Sequence, residues 1–294
     1  MRNKTRSVLL RRLLSHARYE VLPTASIEGI VVEHLPPGFT VTVTASPAKG
    51  LAATLDLTER LRAHGYDVVP HLAARMVSGR SELSEICDRL RAVGVTTIFV
   101  PAGDADPPAG DYKASLDLLE DLTVLGRPFA NVGITGYPES HPSIHDDLTV
   151  QAMWDKRRHA THVVSNLTFD PETLSTWLRR MRARGVTLPL LVGLPGPVER
   201  TKLLAMATKI GVGESTRFLV KHKGTLTRLA APGGFTGERF LERSAGALSE
   251  PGALVEGLHV FTFNQVAETE AWRQGLLQRL GGPFGPVGPF GATG

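Results

Sequence analysis

Cysteine is almost absent from this chain. Its 294 residues hold one, Cys87, which excludes an internal disulfide and a cysteine-built zinc site. Long apolar runs are missing too. None approaches the roughly 20 residues that cross a bilayer, and Val8–Leu14, broken by Arg11 and Arg12, is too short for a signal-peptide core. A cytoplasmic protein without membrane contact is the expectation. The ten histidines are scattered with no H-E-x-x-H pattern, so no metal site is expected. There is no G-x-S-x-G elbow, no P-loop, and no G-x-G-x-x-G after the first strand candidate.

Charge of one sign is also missing, but only locally. Residues 1–18 carry Arg2, Lys4, Arg6, Arg11, Arg12 and Arg18 and no acid; with a net charge of +4, removing those six cations leaves the rest at −2. That remainder shows no basic stripe interleaved with aromatics, so nucleic acid is not the expected partner. The basic segment reads instead as a lead-in helix with a solvated face. From Leu280 onward Gly and Pro dominate, which predicts a flexible tail over 281–294.

What is present is one alternating pattern. Short β-branched runs at Tyr19–Leu22, Thr40–Thr44, Asp67–His71, Thr96–Val100, Phe129–Thr135, His162–Ser165, Leu188–Val192 and Gly257–Phe261 are strand candidates. Helical periodicity falls near 26–34, 50–64, 80–93, 113–123, 147–158, 171–184, 198–209 and 265–279, with an insertion over 214–250. Eight strands alternating with eight helices fit a closed barrel or an open doubly wound sheet. The count, the length and the missing dinucleotide fingerprint favour a single-domain (β/α)₈ TIM barrel over 19–280.

A barrel of this kind keeps its chemistry at the C-terminal ends of its strands. Those ends carry Glu20, Thr44, Pro70-His71, Gly103-Asp104, Tyr137 with His141, Ser165-Asn166, Gly193-Leu-Pro-Gly196, and Thr262-Phe-Asn264. Glu20 stands between Tyr19 and Val21; a carboxyl in apolar surroundings is costly unless used or paired. Thr44 and His71 read equally well as packing, and Asp104 as the close of an Asx turn. Lys49 and Lys156 read as solvated helix lysines or as contacts to phosphate.

Seven of these stretches, in order, resemble the motifs of the methylenetetrahydrofolate reductase family. Tyr19-Glu20-Val-Leu-Pro23 resembles its aromatic-Glu-Phe-Phe-Pro-Pro, Val41-Thr-Val-Thr44 its V-S-V-T, and Pro70-His71-Leu72 its A-P-H-L. Ala102-Gly-Asp104 lies over L-R-G-D, and Tyr137-Pro-Glu-Ser-His141-Pro over Y-P-E-x-H-P. Ser165-Asn-Leu-Thr-Phe-Asp170 covers T-Q-F-F-F-D, and Phe261-Thr-Phe-Asn264 covers Y-T-L-N. The resemblance implies reduction of 5,10-methylenetetrahydrofolate with NADH or NADPH, normally through FAD. It implies Glu20 as general acid, Asp104 against the pterin in catalysis and binding, and Asn166, Thr262 and Asn264 as further folate-side residues. Thr44, His71, Gly103, Tyr137, His141 and Lys156 fall on the cofactor side.

The departures from the family cluster on that side. Ala102 stands where the family has an arginine, and two aromatics of T-Q-F-F-F are gone. The family's acid and lysine after Y-P-E-x-H-P have only Asp147 and Lys156 as counterparts. These changes imply that FAD binds weakly or not at all and that hydride passes directly from the nicotinamide. An ordinary FAD enzyme, its phosphates held by Lys156 or the backbone near Gly193–Gly196, stays open. So does a folate-binding barrel without turnover. The sequence leaves the oligomeric state open.

Overall fold

In the computed structural model, residues 4–139, 145–197 and 236–281 are described. The strands are β1 (Arg18–Val21), β2 (Thr40–Val43), β3 (Asp67–Pro70), β4 (Thr97–Phe99), β5 (Asn131–Gly136), β6 (His162–Ser165), β7 (Leu190–Pro195) and β8 (Val255–Phe261). The helices are α1 (Lys4–Ser15), α2 (Ile27–His34), α3 (Gly50–Ala63), α4 (Arg80–Ala92), α5 (Ser115–Val124), α6 (Asp146–Lys156), α7 (Pro171–Ala183), α8 (Gly237–Leu248) and α9 (Val266–Arg279). All strand pairs are parallel, in the order β3-β2-β1-β8-β7-β6-β5-β4. The two ends meet at a single bridge between His71 and Phe99, where the Leu72 N–H donates to the Phe99 carbonyl at 2.8 Å. The eight strands form the near-closed (β/α)₈ barrel that the alternation predicts.

Local chemistry explains the elements. In α7, Pro171 opens the helix while the Asp170 carboxylate accepts from the Glu172 and Thr173 N–H groups. Leu174, Trp177, Leu178 and Met181, at i, i+3, i+4 and i+7, form its buried face. The basic lead-in segment folds as α1, which buries Leu10, Leu13 and Leu14; its Arg12 donates to the Val255 carbonyl at 2.7 Å, at the start of β8. The helix expected at 198–209, most of the 214–250 insertion and the tail after 281 lie outside the described residues; the described end of that insertion contains α8.

Strands five and seven run further toward their C-terminal ends than the sequence suggests, to Gly136 and Pro195. Glycine and proline read as strand breakers, yet Gly193 is required inside β7. A Cβ there would lie 2.1 Å from the Ser165 carbonyl oxygen, and the Gly193 N–H donates to the Ser165 Oγ at 2.7 Å. Close backbone approach, not a turn, selects glycine at this point.

Period-two alternation sorts the strand side chains onto two faces. Tyr19, Val21, Val41, Val43, Ile98 and Ile134 join the large core beneath the helices. Val69, Phe99, Val164 and Leu191 form a separate cluster, the apolar girdle of the barrel lumen. Charged and polar groups fill the lumen's floor. Arg18 is buried there, its Nη1 3.2 Å from the His162 Nε2. A guanidinium has no acceptor, so Nε2 accepts and the ring proton sits on Nδ1, 3.0 Å from the Thr161 Oγ1. Burial, then the charges of Arg18 and His259, push the His162 pKa well down. Burial likewise lowers Arg18 to about 10, against the pull of Asp67 and Glu256.

On the outer side of β1, the Tyr19 hydroxyl donates to the Glu270 Oε2. Arg273 grips the same carboxylate with Nε and Nη2, each at 2.8 Å, and its Nη1 reaches the Leu14 carbonyl at 3.4 Å. All three side chains are buried, so α1, α9 and β1 share one ion-paired knot. Replacing Arg273 by Met leaves Glu270 an uncompensated buried charge; the expected loss is about 3–5 kcal/mol in urea unfolding. Adding Glu270→Gln should recover part of it, and a single-mutant loss below about 1 kcal/mol would show the knot to be dispensable.

The His162 shift carries a sign. Its folded pKa lies below the unfolded value of about 6.5, so the unfolded chain takes up the proton first. The stability it contributes is present above that value and is lost as pH falls. Wild-type stability is expected to drop more steeply between pH 7 and 5 than that of His162→Gln; equal slopes by chemical denaturation at both pH values would count against this.

Candidate active site

Alternation on β1 settles what surrounds Glu20. Tyr19 and Val21 belong to the outer core, so the carboxylate turns the other way, into the lumen, and its apolar sequence neighbours do not enclose it. It meets two histidines instead. The His259 Nε2 of β8 lies 2.9 Å from the Glu20 Oε2, and the His71 Nε2 lies 3.7 Å from the same oxygen. The side chains are 12%, 2% and 9% exposed for Glu20, His259 and His71. Burial brings His71 down to about 4, although Glu20 pulls it up and His259 pushes it further down. His71 is therefore a neutral imidazole near pH 7.

The backbone behind Glu20 is braced by β8 and the turn that follows it. The Thr262 Oγ1 donates to the Glu20 carbonyl at 2.6 Å and accepts from the Asn264 N–H at 3.1 Å. Asn264 accepts from the Leu22 N–H at 2.8 Å and donates to the Leu22 carbonyl and the Thr24 hydroxyl, both at 3.1 Å. Thr262 and Asn264, expected on the folate, thus spend their side chains on the β1 strand end.

Thr44, His71, Gly103, Asp104, Tyr137 and Asn166 all follow the C-terminal ends of their strands, as the resemblance implies. The Asn166 Oδ1 turns back to the Leu167 N–H at 2.7 Å. Gly103 has φ +85°, and a Cβ on it would lie 2.8 Å from the Ala73 Cβ; the loop that presents Asp104 can pass here only as glycine. That loop zips onto the one after β3 through Ala74 N–H to Pro101 carbonyl at 3.0 Å and Arg75 N–H to Ala102 carbonyl at 2.9 Å. The Arg75 guanidinium is taken up by the Ala105 carbonyl and Asp106, at 2.7 and 3.2 Å.

One residue expected on the cofactor side is not at a strand end. Lys156 is the last residue of α6. Asp147, at the other end of α6, is held by Arg180 and by Arg184 of the α7 end. His141 lies outside the described residues.

Other groups were not singled out in the sequence. His259 is the chief one; its signal is a histidine alternating with Gly257 and Phe261 on one face of β8. Glu139, from Y-P-E-S-H-P, accepts from the Phe169 and Asp170 N–H groups at 2.8 and 3.0 Å, tying the loops after β5 and β6 together. The Thr42, Thr44 and Thr135 hydroxyls and the His71 Nε2 are buried polar atoms with no hydrogen-bond partner. Alternation turns all four to the lumen. Each such atom costs about 1–3 kcal/mol, so their gathering here suits a polar ligand.

Solved structures resembling this chain include an oxaloacetate acetylhydrolase in complex with 3,3-difluorooxalacetate, at 13% identity and a TM-score of 0.46, covering 83% of this chain and 94% of that one. Among curated sequences, a Caenorhabditis elegans protein named "Probable methylenetetrahydrofolate reductase (NADPH)" is 24% identical over 139 residues, 44% of this chain and 20% of its own. Methylenetetrahydrofolate reductase 2 of Saccharomyces cerevisiae is 26% identical over 102 residues, 32% of this chain and 17% of its own. The matches span a fifth or less of these relatives' lengths. The family model for methylenetetrahydrofolate reductase matches residues 25–271, most of the chain, and the protein belongs to the methylenetetrahydrofolate reductase family.

Proposed function

We propose that this chain reduces 5,10-methylenetetrahydrofolate to 5-methyltetrahydrofolate, with NADH or NADPH as hydride source and without a tightly held flavin. The observation that carries this reading is Glu20, nearly buried in the lumen of a barrel of this family and hydrogen-bonded to His259. Glu20 gives a proton to the nitrogen that leaves the methylene carbon. The five-membered ring then opens to an iminium, and a hydride on that carbon makes the N-methyl group. Asp104 faces the pterin and offsets the positive charge that develops there. Asn166 offers the ring edge a carboxamide. Thr262 and Asn264 serve by fixing the Glu20 strand.

The orphaned Thr44 Oγ1 and His71 Nε2 suit the polar edge of a flat heteroaromatic ring. A nicotinamide carboxamide and a flavin share that chemistry; bound there, either supplies hydride. The diphosphate separates them. Where the resemblance places an arginine, Ala102 has no donor side chain, and neighbouring Arg75 is already engaged. One lost charge-assisted contact is worth about 1.5–3 kcal/mol, one or two decades of affinity. Direct transfer from the nicotinamide needs only that the protein align donor and iminium.

The purified protein is expected to be colourless and to oxidise NADH or NADPH when methylenetetrahydrofolate is added, with no gain from added FAD. A yellow protein, or turnover only with FAD, would return it to the flavoprotein mechanism. Glu20→Gln should lower kcat at least about a hundredfold while folate binding by calorimetry stays within a few-fold. A variant that still turns over normally would remove Glu20 as the acid.

A further inference from the structure

Glu20 has two carboxylate oxygens, and the barrel treats them differently. Oε2 faces the His259 Nε2 at 2.9 Å and the His71 Nε2 at 3.7 Å, whereas no contact of Oε1 is part of this pair. We propose that His259 is the positioning residue of the general acid: its Nε2–H donates to Oε2, leaving Oε1 as the oxygen that carries and transfers the proton. This rests on the functional reading above. Before transfer His259 bonds a neutral carboxyl. Once Oε1 has given its proton to the departing nitrogen, the same bond becomes charge-assisted and roughly doubles in strength. It therefore stabilises the transition state more than the ground state, the kind of interaction that raises kcat rather than tightening substrate.

The surroundings fit a fixed donor. His259 is in register with Arg18 of β1 and Gly193 of β7, and its ring meets Phe261 edge-on at 4.8 Å. The ionisable groups near it are Glu20 and Arg18 from β1, His71 just after β3 and His162 from β6; Asp67 and Glu256 act on Arg18. Arg18 lies at about 10 and His71 at about 4, and His162 is pushed well down. None of these three changes charge between pH 6.5 and 8. A limb of the rate profile in that window is not theirs.

The test compares wild type with His259→Phe, which keeps ring volume without a donor, and His259→Gln, which keeps an N–H near Nε2. His259→Phe is expected to lower kcat about ten- to a hundredfold with folate KM within about threefold, and to move the alkaline limb of kcat to higher pH. His259→Gln should recover most of the rate and restore the limb. A Phe variant with unchanged kcat and profile overturns the proposal. So does a joint loss of kcat, KM and melting temperature in both variants with the limb unmoved, which a merely structural histidine would give. A second measurement needs no turnover: imidazole ¹⁵N shifts of histidine-labelled wild type at pH 8 should show a proton on the His259 Nε2, and a bare Nε2 overturns the proposal even if neither variant folds. Wild type that never reduces the folate would instead fell the functional reading, with the ¹⁵N result still deciding the hydrogen bond.

Discussion

The contact between Glu20 and His259 spans the β1–β8 pair, and the lumen is arranged around it. A strand has two faces, and β1 uses them for opposite purposes. Outward, Tyr19 locks into the Glu270–Arg273 pair; inward, Glu20 stands among histidines. Because consecutive side chains alternate without exception on a regular strand, anchoring Tyr19 also fixes where Glu20 points. Thr262 and Asn264 complete the hold by bonding the strand's backbone on both sides of Val21. The role proposed for Glu20, delivering a proton along one direction, benefits from such over-determination, since a small misplacement of a reacting group is expensive in rate.

The lumen sets polar groups among apolar ones. Arg18 and His162 are buried at the floor, and above them the orphaned Thr42 and Thr135 hydroxyls and His71 stand in register with Val69, Val164 and Phe99 of the girdle. Apolar side chains beside polar ones raise the strength of the electrostatic interactions among them. Phe99 takes part in three of these functions: it belongs to the girdle, stacks edge-on with His71 at 4.7 Å, and supplies the bridge that joins β4 to β3. The seam of the barrel and the site are thus made by the same two residues.

Much of this architecture is legible in the sequence, for physical reasons that also mark where legibility stops. The strand and helix alternation is carried by periodicity, and α2 to α7 and α9 each lie within two residues of their expected places. Strand ends follow less well, because Gly193 and Gly136 are selected by crowding from other strands or helices, which no local pattern records. The rim residues follow from one rule about parallel barrels, so Thr44, His71, Asp104 and Asn166 fall where that rule puts them. Lys156 stands at the end of α6 rather than at a strand end, because motif order does not tell which end of a helix a residue occupies. His259 was missed for a related reason: its significance lies in pairing with a residue 239 positions away, and only closure of β8 against β1 creates it.

The loop bearing Asp104 shows how a departure from family pattern acts on structure. It leaves β4, runs through Ala102 and Gly103, and packs so tightly on Ala73 that no side chain fits at 103. Arg75 reaches across from the short turn Ala74–Met76 and holds the Ala105 carbonyl and Asp106. The cation in this region is thus committed to shaping the loop, and position 102 offers none to a ligand. Under the proposed function, a loop cross-tied to its neighbour presents Asp104 rigidly to a small, flat substrate. Folate-side and cofactor-side properties are therefore coupled in one segment. On the proposed reading, a loss of flavin contacts here leaves the acid at Glu20 in place, because Glu20 is held by a different pair of strands.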